Sequence, residues 1–574
     1  MVLTNIDQEV TSMRRTKGAK ALAFAVGVAL ALSACGGSDS DSSTEDTTSE
    51  GGGATGETAM TITYDIVDEA VWEDGSPITV ADFECTWQAA LNTPGSLGTT
   101  GYDKISSVAA GESDKQVVVS FTELYAPYKG LFGGLIKKAA VADCNDISAD
   151  FQTSINYSGT EWKMESWSKD QVVYVPNEAY WGPRKASGKL VMVPRVENGI
   201  AALKAGEVDF IYPQFYAGIE DELADPNVKT VINYGGDYEG IYMNQGVEGK
   251  DANGNVREFS DAAFREGFYK SIDLDALFNQ IYIPIAPEGK LLACGPMIPG
   301  QYCPEGIFGN KYSLDDAAKA LEDGGWEKDA SGMWAKDGVV PEVQWVINTG
   351  NKRREDTQAY LIPLLKEAGF NVVPYNCDAA CYFQQRLPGM DYDLAMYIST
   401  APPDPAYLVP AFAGDQVPTE ANENKGQNYQ GWVNDKATEA LKNSDKEVDA
   451  DKRTELIKEA IVEMDKDYMM IPLFQFPKSG AYRTDLVGDV EGQLNNYAAF
   501  NDTYMWKDLN GDGQIVIGAE QWPECLNPIT ECANSSWYVW TVGQVLAPGA
   551  FRTTNDGKYE VTELLKSEPV VDTK

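Results

Sequence analysis

The sequence predicts an α/β protein with two or more packed lobes, and three observations carry that expectation. The chain has 574 residues, more than one hydrophobic core usually organises. Apolar residues make up 43% of it and aromatics 11%, enough to fill sizeable cores. Strand and helix patterns alternate through its body, and VQWVIN, a helical run to Gly369, then FNVV reads as a strand–helix–strand unit. A right-handed parallel crossover is the expected geometry of such a unit. Ligands of open parallel sheets bind at the carboxyl ends of strands, so residues just after Asn348 and Ser399 become candidate site residues.

In chain order, the first 59 residues read as an address and a tether. Residues 14–20, RRTKGAK, are basic, and 21–32, ALAFAVGVALAL, form an apolar run of twelve. A bilayer span needs about 20 residues, so the run fits a signal-peptide core instead. Met13 stands as an alternative start, because residues 1–12 are foreign to a signal peptide. LSAC, Leu32 to Cys35, resembles the bacterial lipobox, which implies lipid modification of Cys35 as the mature N-terminus. Residues 36–59 are Gly, Ser, Thr, Asp and Glu with almost nothing apolar, the composition of a flexible tether. The expected state is a protein anchored to a membrane, in the bacterial cell envelope, rather than embedded in it.

Helix signals follow. Ser313 and Asp316 make an S-x-x-D start for a helix to Asp323, stopped by Gly324-Gly325. A second helix is expected from about Arg354 to Ala368, where Pro363 implies a kink or a later start. A pair of helices with charges on the outer face is expected between Asp435 and Lys466. Strands are expected at Glu342–Asn348, Phe370–Val373, Tyr392–Ser399 and Met469–Phe476.

Composition excludes several function classes. Lys and Arg number 46 against 87 Asp and Glu, a net charge of −41. Phosphate neutralisation needs cations, so nucleic acid is a poor partner. There is no histidine, which removes Ser-His-Asp and Cys-His catalysis and the usual histidine metal sites. No two acids stand out as a carboxylate pair across a cleft, so an enzyme such as a glycosidase is disfavoured. No cofactor and no metal is expected. Outside Cys35, eight cysteines remain, an even number that suits disulfides outside the cytoplasm. Proximity suggests Cys294–Cys303, Cys377–Cys381 and Cys525–Cys532, which leaves Cys85–Cys144. A zinc site is the rival reading, opposed by the lack of a CxxC pair and of histidine.

Five stretches in order then resemble the extracellular solute-binding proteins of ABC importers, family 5, the dipeptide, oligopeptide and nickel group. They are AVWEDGSPITVADFECTWQAAL (70–91), NEAYWGPRKASGKLVMVPRVENGIAALKAGEVDF (177–210), YEGIYMNQ (238–245), FSDAAFREGFYKSIDLDAL (259–277) and DYDLAMYISTAPPDPAYL (391–408). The resemblance implies a two-lobe periplasmic-binding-protein-like fold (type II, peptide-binding cluster). A cleft lies between the lobes, and two hinge strands cross near Tyr238–Gln245 and Met469–Phe476. Lobe one is expected from 60–240 and 476–574, and lobe two from 241–475. QIVIGAEQWPECLNPI, 514–529, resembles the opening strand of that family, yet it lies near the end of this chain. The ending TNDGKYEVTELLKSEPVVDTK resembles what should precede TITYDIVDEAVWEDGSP at Thr61. The expectation is a circularly permuted order, with the family's usual ends joined through KDLNGDGQ, 507–514. That join has Asp508, Asn510, Asp512, Gly513 and Ile515 at calcium-loop spacing, but Ala519 stands where a bidentate acid is needed and Glu520 comes one residue late. A polar turn is the plainer reading.

The function implied is capture of a peptide by hinge closure and delivery to permease subunits, by a monomer that does no chemistry on its ligand. Asp404, in PPDPAYL, matches the family position that meets a peptide α-amino group; it also reads as a helix N-cap before Pro405. Arg353 or Arg354, in NTGNKRRED, is the candidate for the peptide carboxylate, against an ordinary surface arginine. Tyr242 and Asn244 lie on a crossing strand, as ligand-facing groups or as hinge packing. Glu520 and Trp522 end the family's first strand, Trp432 is a further cleft candidate, and Trp537 reads as core. Alternatives are another small solute, such as a metal chelate or an oligosaccharide stacked on tryptophan, and a surface adhesion or signalling protein on the same fold.

Overall fold

The computed structural model describes residues 58–574 apart from 97, 196–197, 214–215, 299, 380, 423–425, 491–499, 524, 534–540, 547–548 and 555–557. The signal and lipobox with Cys35, most of the tether, and Trp537 lie outside the described residues. No helix among the described residues is long and apolar enough to cross a membrane.

A ten-stranded mixed sheet runs through the protein. Its order is Asn371–Pro374, Glu342–Val346, Leu394–Thr400, Val228–Met243, Met470–Arg483, Phe210–Ile211, Gln514–Ala519, Lys189–Pro194, Val172–Pro176 and Trp162–Trp167. Two large apolar cores, with smaller clusters beside them, pack on it. The first draws on residues between Met60 and Tyr212 and between Tyr482 and Leu565; the second draws on residues between Tyr238 and Phe476. Among the described residues, the two long central strands are the strands that pass from one to the other. Val228–Met243 gives Val231 to the first core and Tyr238, Ile241 and Tyr242 to the second; Met470–Arg483 gives Phe474 to the second and Tyr482 to the first.

Those two strands pair antiparallel from Met470↔Tyr242 to Arg483↔Val228, with register shifts between Pro472 and Phe474 and between Gln475 and Pro477. Both prolines lack an N–H, so the ladder must break beside them. The crossing strands are therefore locally irregular where they leave the second core.

The strand–helix–strand unit forms as expected. Glu342–Val346 pairs parallel with Asn371–Pro374, and the helix Lys352–Ala368 connects them. Asn351 caps this helix by accepting from Arg354 N, and Gly369 ends it at φ 104°, a left-handed conformation that glycine adopts without strain. The helix starts before Arg354 and continues through Pro363, so the proline costs one ladder bond without moving the start. Ser313 caps Leu314–Asp323, accepting from Asp316 N. The charged pair appears as Asp435–Lys446 and Ala450–Lys466.

In the first core, Val80–Asn92 is opened by a capping box of Thr79 and Asp82. Buried Asp82 also takes Lys138 N at 2.8 Å and Trp72 Nε1 at 3.3 Å, which ties the WEDGSP turn to the helix. Gln514–Ala519 fills the interior of the large sheet, parallel to Lys189–Pro194 on one side and Phe210–Ile211 on the other. A second sheet places Met60–Asp65 between Gln116–Phe121 and Val570–Thr573. Met60 faces Thr573, and Lys574 N donates to Ala59 O at 3.0 Å, so residues 59 and 574 lie side by side. Four disulfides join Cys85–Cys144, Cys294–Cys303, Cys377–Cys381 and Cys525–Cys532.

Candidate functional site

Asp404 sits in the loop after Leu394–Thr400, at the carboxyl end of that strand. It caps the short turn Pro405–Tyr407, accepting from Ala406 N at 2.8 Å. Its two oxygens also take a bidentate pair from Arg453, at 2.6 and 2.7 Å, so the N-cap and the ion pair coexist. The third arm of Arg453, Nε, donates to Ser444 O at 2.9 Å. Tyr125 and Tyr559, both packed with the first core, feel the Asp404 charge: burial raises both phenols above their usual range, with the Asp445 and then the Asp404 charge adding to it at Tyr125 and the Asp404 charge at Tyr559. Close by, Ala126 N donates to Asp445 O at 2.7 Å, so the segment that carries Tyr125 meets the helix that precedes Arg453.

Arg353 and Arg354 are buried, not surface, arginines. Both converge on Glu239, which lies on the long crossing strand. Arg353 Nε reaches Glu239 Oε2 at 2.7 Å, and Arg354 Nε reaches Oε1 at 2.7 Å. Arg354 also bonds the Asn348 side chain, and the Arg353 guanidinium lies 4.5 Å from the Phe476 ring centre on the other crossing strand. Burial pushes the Glu239 carboxyl up, but the two guanidiniums outweigh it and hold it below the usual range.

Tyr242 and Asn244 are fully buried. Tyr242 stacks on Tyr397 at 4.0 Å and shares a 2.8 Å hydrogen bond with Ser399. Asn244 donates to the Met390 and Tyr392 carbonyls and accepts from Gly246 N. Trp432 is 1% exposed in the second core and donates to Asp467 at 3.0 Å. Its ring goes to packing because the Asn428–Trp432 turn folds inward, with Asn428 donating to the Trp432 carbonyl. Trp522 is half-buried on the first core and donates to Ser168 O at 3.3 Å. Glu520 is half-buried, and its charge adds to burial in raising the Tyr212 phenol.

Residues 507–514 form a polar turn. Asp508 accepts from Gly511 N and Gly513 N, and Asp512 accepts from Gln514 N. Among the described residues, no group of three or more acids or cysteines is placed to hold a metal ion. Glu239, Arg453 and the neighbouring Asp445 were not singled out from sequence. The partners of Glu239 and Arg453 lie far along the chain, and nothing local marks Asp445; an acid inside the apolar strand YEGIYM was the one available signal for Glu239.

With this geometry in hand, comparison with known proteins defines the class. Residues 52–419 match the family model of bacterial extracellular solute-binding proteins, family 5 Middle, and the chain belongs to that family. The oligopeptide-binding protein OppA of Bacillus subtilis is 23% identical over 438 residues, covering 71% of this chain and 75% of OppA. The probable monoacyl phosphatidylinositol tetramannoside-binding protein LpqW of Mycobacterium tuberculosis is 29% identical over 166 residues, and the match spans 26% of each chain. In fold, the chain resembles NikZ from Campylobacter jejuni, solved in complex with Ni(L-His), with a TM-score of 0.67, 16% identity, and coverage of 80% of this chain and 90% of NikZ. The matching family members are binding proteins, not enzymes.

Proposed function

We propose that this protein is the lipid-anchored binding component of an ABC importer, capturing peptides between its lobes and handing them to permease subunits. The observation that carries the reading is Asp404. It stands at a strand's carboxyl end, carries a charge that raises the Tyr125 and Tyr559 phenols of the first core, and holds a carboxylate already paired with a cation. A peptide α-ammonium entering here replaces Arg453 on Asp404, so the carboxylate's desolvation cost is offset before the ligand arrives. The likeness to OppA, an oligopeptide-binding protein, supports a peptide. Arg353 and Arg354 reach a ligand carboxylate only by giving up part of Glu239, which favours Asp404 as the principal anchor. Tyr242 braces the strand end that leads to Asp404 through its hydrogen bond with Ser399, Asn244 and Trp432 pack within the second lobe, and Glu520 and Trp522 are proposed as cleft residues of the first lobe.

The same proposal takes 60–240 with 476–574 as lobe one and 241–475 as lobe two, hinged on the two crossing strands. It includes the permuted order. The central position of Gln514–Ala519 in the sheet, and the pairing of Val570–Thr573 with Met60–Asp65, support it. The lipid anchor is proposed on the LSAC sequence at Cys35.

The test compares a free peptide with its N-acetylated form by calorimetry. A free tripeptide, trialanine, should bind the full chain in detergent, and acetylation or Asp404→Ala should each weaken binding at least tenfold. Equal binding of both forms would remove the amine anchor. Binding of a nickel–histidine complex in place of any peptide would favour the metal-chelate alternative, which the NikZ likeness keeps in view.

A further inference from the structure

The two lobes touch beside Asp404. Ala126 N, in the first, donates to Asp445 O at 2.7 Å, and Lys446 Nζ lies 2.6 Å from Glu123 Oε2. Glu123 is held in turn by Lys104 at 3.0 Å. Tyr125, 5% exposed, is enclosed at the same contact. Asp445 lies in the last turn of the helix Asp435–Lys446; it is half-buried, and its Oδ1 is shut from solvent with no hydrogen-bond partner among the described residues. The guanidinium beside it cannot help. Arg453 has given Nε to Ser444 O and both terminal nitrogens to Asp404. Lys446 is committed to Glu123.

We propose that Asp445 links lobe closure to proton uptake, because closing the lobes shuts its Oδ1 from solvent without a partner, close to the Asp404 carboxylate. The proposal rests on the hinged solute-capture reading for its biological meaning and adds a regulation to that site. The charges around Asp445 come from every element packed on it. Burial raises its carboxyl to about 7, with the Asp404 and Glu123 charges adding to the rise and Arg453 and Lys104 opposing it; Tyr125 contributes a neutral phenol. Opening removes Lys104, Glu123, Tyr125 and Ala126 together with the first lobe. Asp445 then meets water and returns toward the ordinary aspartate value of about 3.9.

The sign follows from those two values. Between about pH 4 and about pH 7 the closed form holds more protons than the open form. Closure is therefore favoured in acid, weakens as pH rises through that window, and becomes independent of pH above about 7. The limiting slope is roughly tenfold in the closed-to-open ratio per pH unit.

Hydrogen exchange of the full chain in detergent, with no solute added, reads this directly. The segments around Ala126 and Asp445 report the contact once intrinsic exchange rates are corrected for pH. In the wild type their protection should fall at least roughly tenfold between about pH 5 and about pH 8. Asp445→Asn keeps the size and the backbone bond but cannot titrate, so its protection should stay high and flat. Glu123→Gln should retain the pH dependence, because Glu123's own carboxyl is held below its usual range by Lys446 and Lys104 against its burial. A flat wild type, or an equal pH dependence in Asp445→Asn, would overturn the proposal. Since no solute is present, failure of peptide binding leaves this result untouched, and the converse also holds.

Discussion

Arg353 places its Nε 2.7 Å from Glu239 Oε2, and neither side chain is exposed to solvent. Arg354 completes a triad on the same carboxylate. The helix Lys352–Ala368 is thereby fixed by charge to the strand that joins the two cores. The triad carries one more positive than negative charge, and Asn348 and the Phe476 ring share the excess.

Removing the carboxylate charge leaves two buried guanidiniums without a counter-ion. Glu239→Gln should therefore destabilise the protein by about 3–5 kcal/mol, the usual penalty for breaking a buried pair. Urea unfolding measures it. A loss under about 1 kcal/mol would mean that water or another acid reaches the arginines.

The disulfides should differ in worth by the loops they close. Cys85–Cys144 spans a separation of 59 residues and Cys377–Cys381 only 4. Chain-entropy arguments give about 4 kcal/mol for the first and about 2 kcal/mol for the second. Paired Cys→Ala variants, compared by denaturant midpoint, should rank in that order.

Asp209 predicts a pH effect on stability. Its carboxylate accepts from Val516 N at 2.7 Å, but burial first, then the charges of Asp512, Asp508 and Asp485, raise it to about 6. A raised acid favours the fold only while protonated, so its contribution falls as pH rises from about 4 to about 6 and stays lost above. Asp209→Asn keeps an acceptor for Val516. It should stabilise the protein on the order of 1 kcal/mol at neutral pH, after allowance for solvent screening, and give no gain near pH 4. Melting temperatures at both pH values check the sign.

The proposed permuted order makes its own prediction. Met60–Asp65 and Val570–Thr573 are antiparallel neighbours, with Lys574 N on Ala59 O. A short turn should join Lys574 to Ala59 as a hairpin, and the chain should tolerate opening at Gly511 in the exposed polar turn. The rearranged protein should unfold within about 1 kcal/mol of the original. A protein that fails to fold would show that the 507–514 connection is needed for folding itself.

Local features were legible in the sequence, and distant ones were not. Ser313 and Gly369 announced their helix ends through side-chain chemistry that acts within one turn. Three disulfides followed from nearness along the chain and the fourth from what remained. The parallel unit around Glu342–Val346 showed in its alternating patterns. The Arg353–Glu239 pair joins residues 114 apart, so no local pattern distinguishes Arg353 from a solvated arginine. The Arg453–Asp404 pair spans 49 residues and was hidden in the same way. Trp432 shows the limit from the other side: an aromatic between polar residues looks cleft-facing until the turn around it folds inward.

The most direct test of solute capture is native mass spectrometry of the full chain purified in mild detergent from the cells that make it. The account predicts discrete added masses that match peptides, retained by the wild type and lost in Asp404→Ala. A folded wild-type protein that carries no peptide mass, and takes none up from a peptide pool, would contradict it.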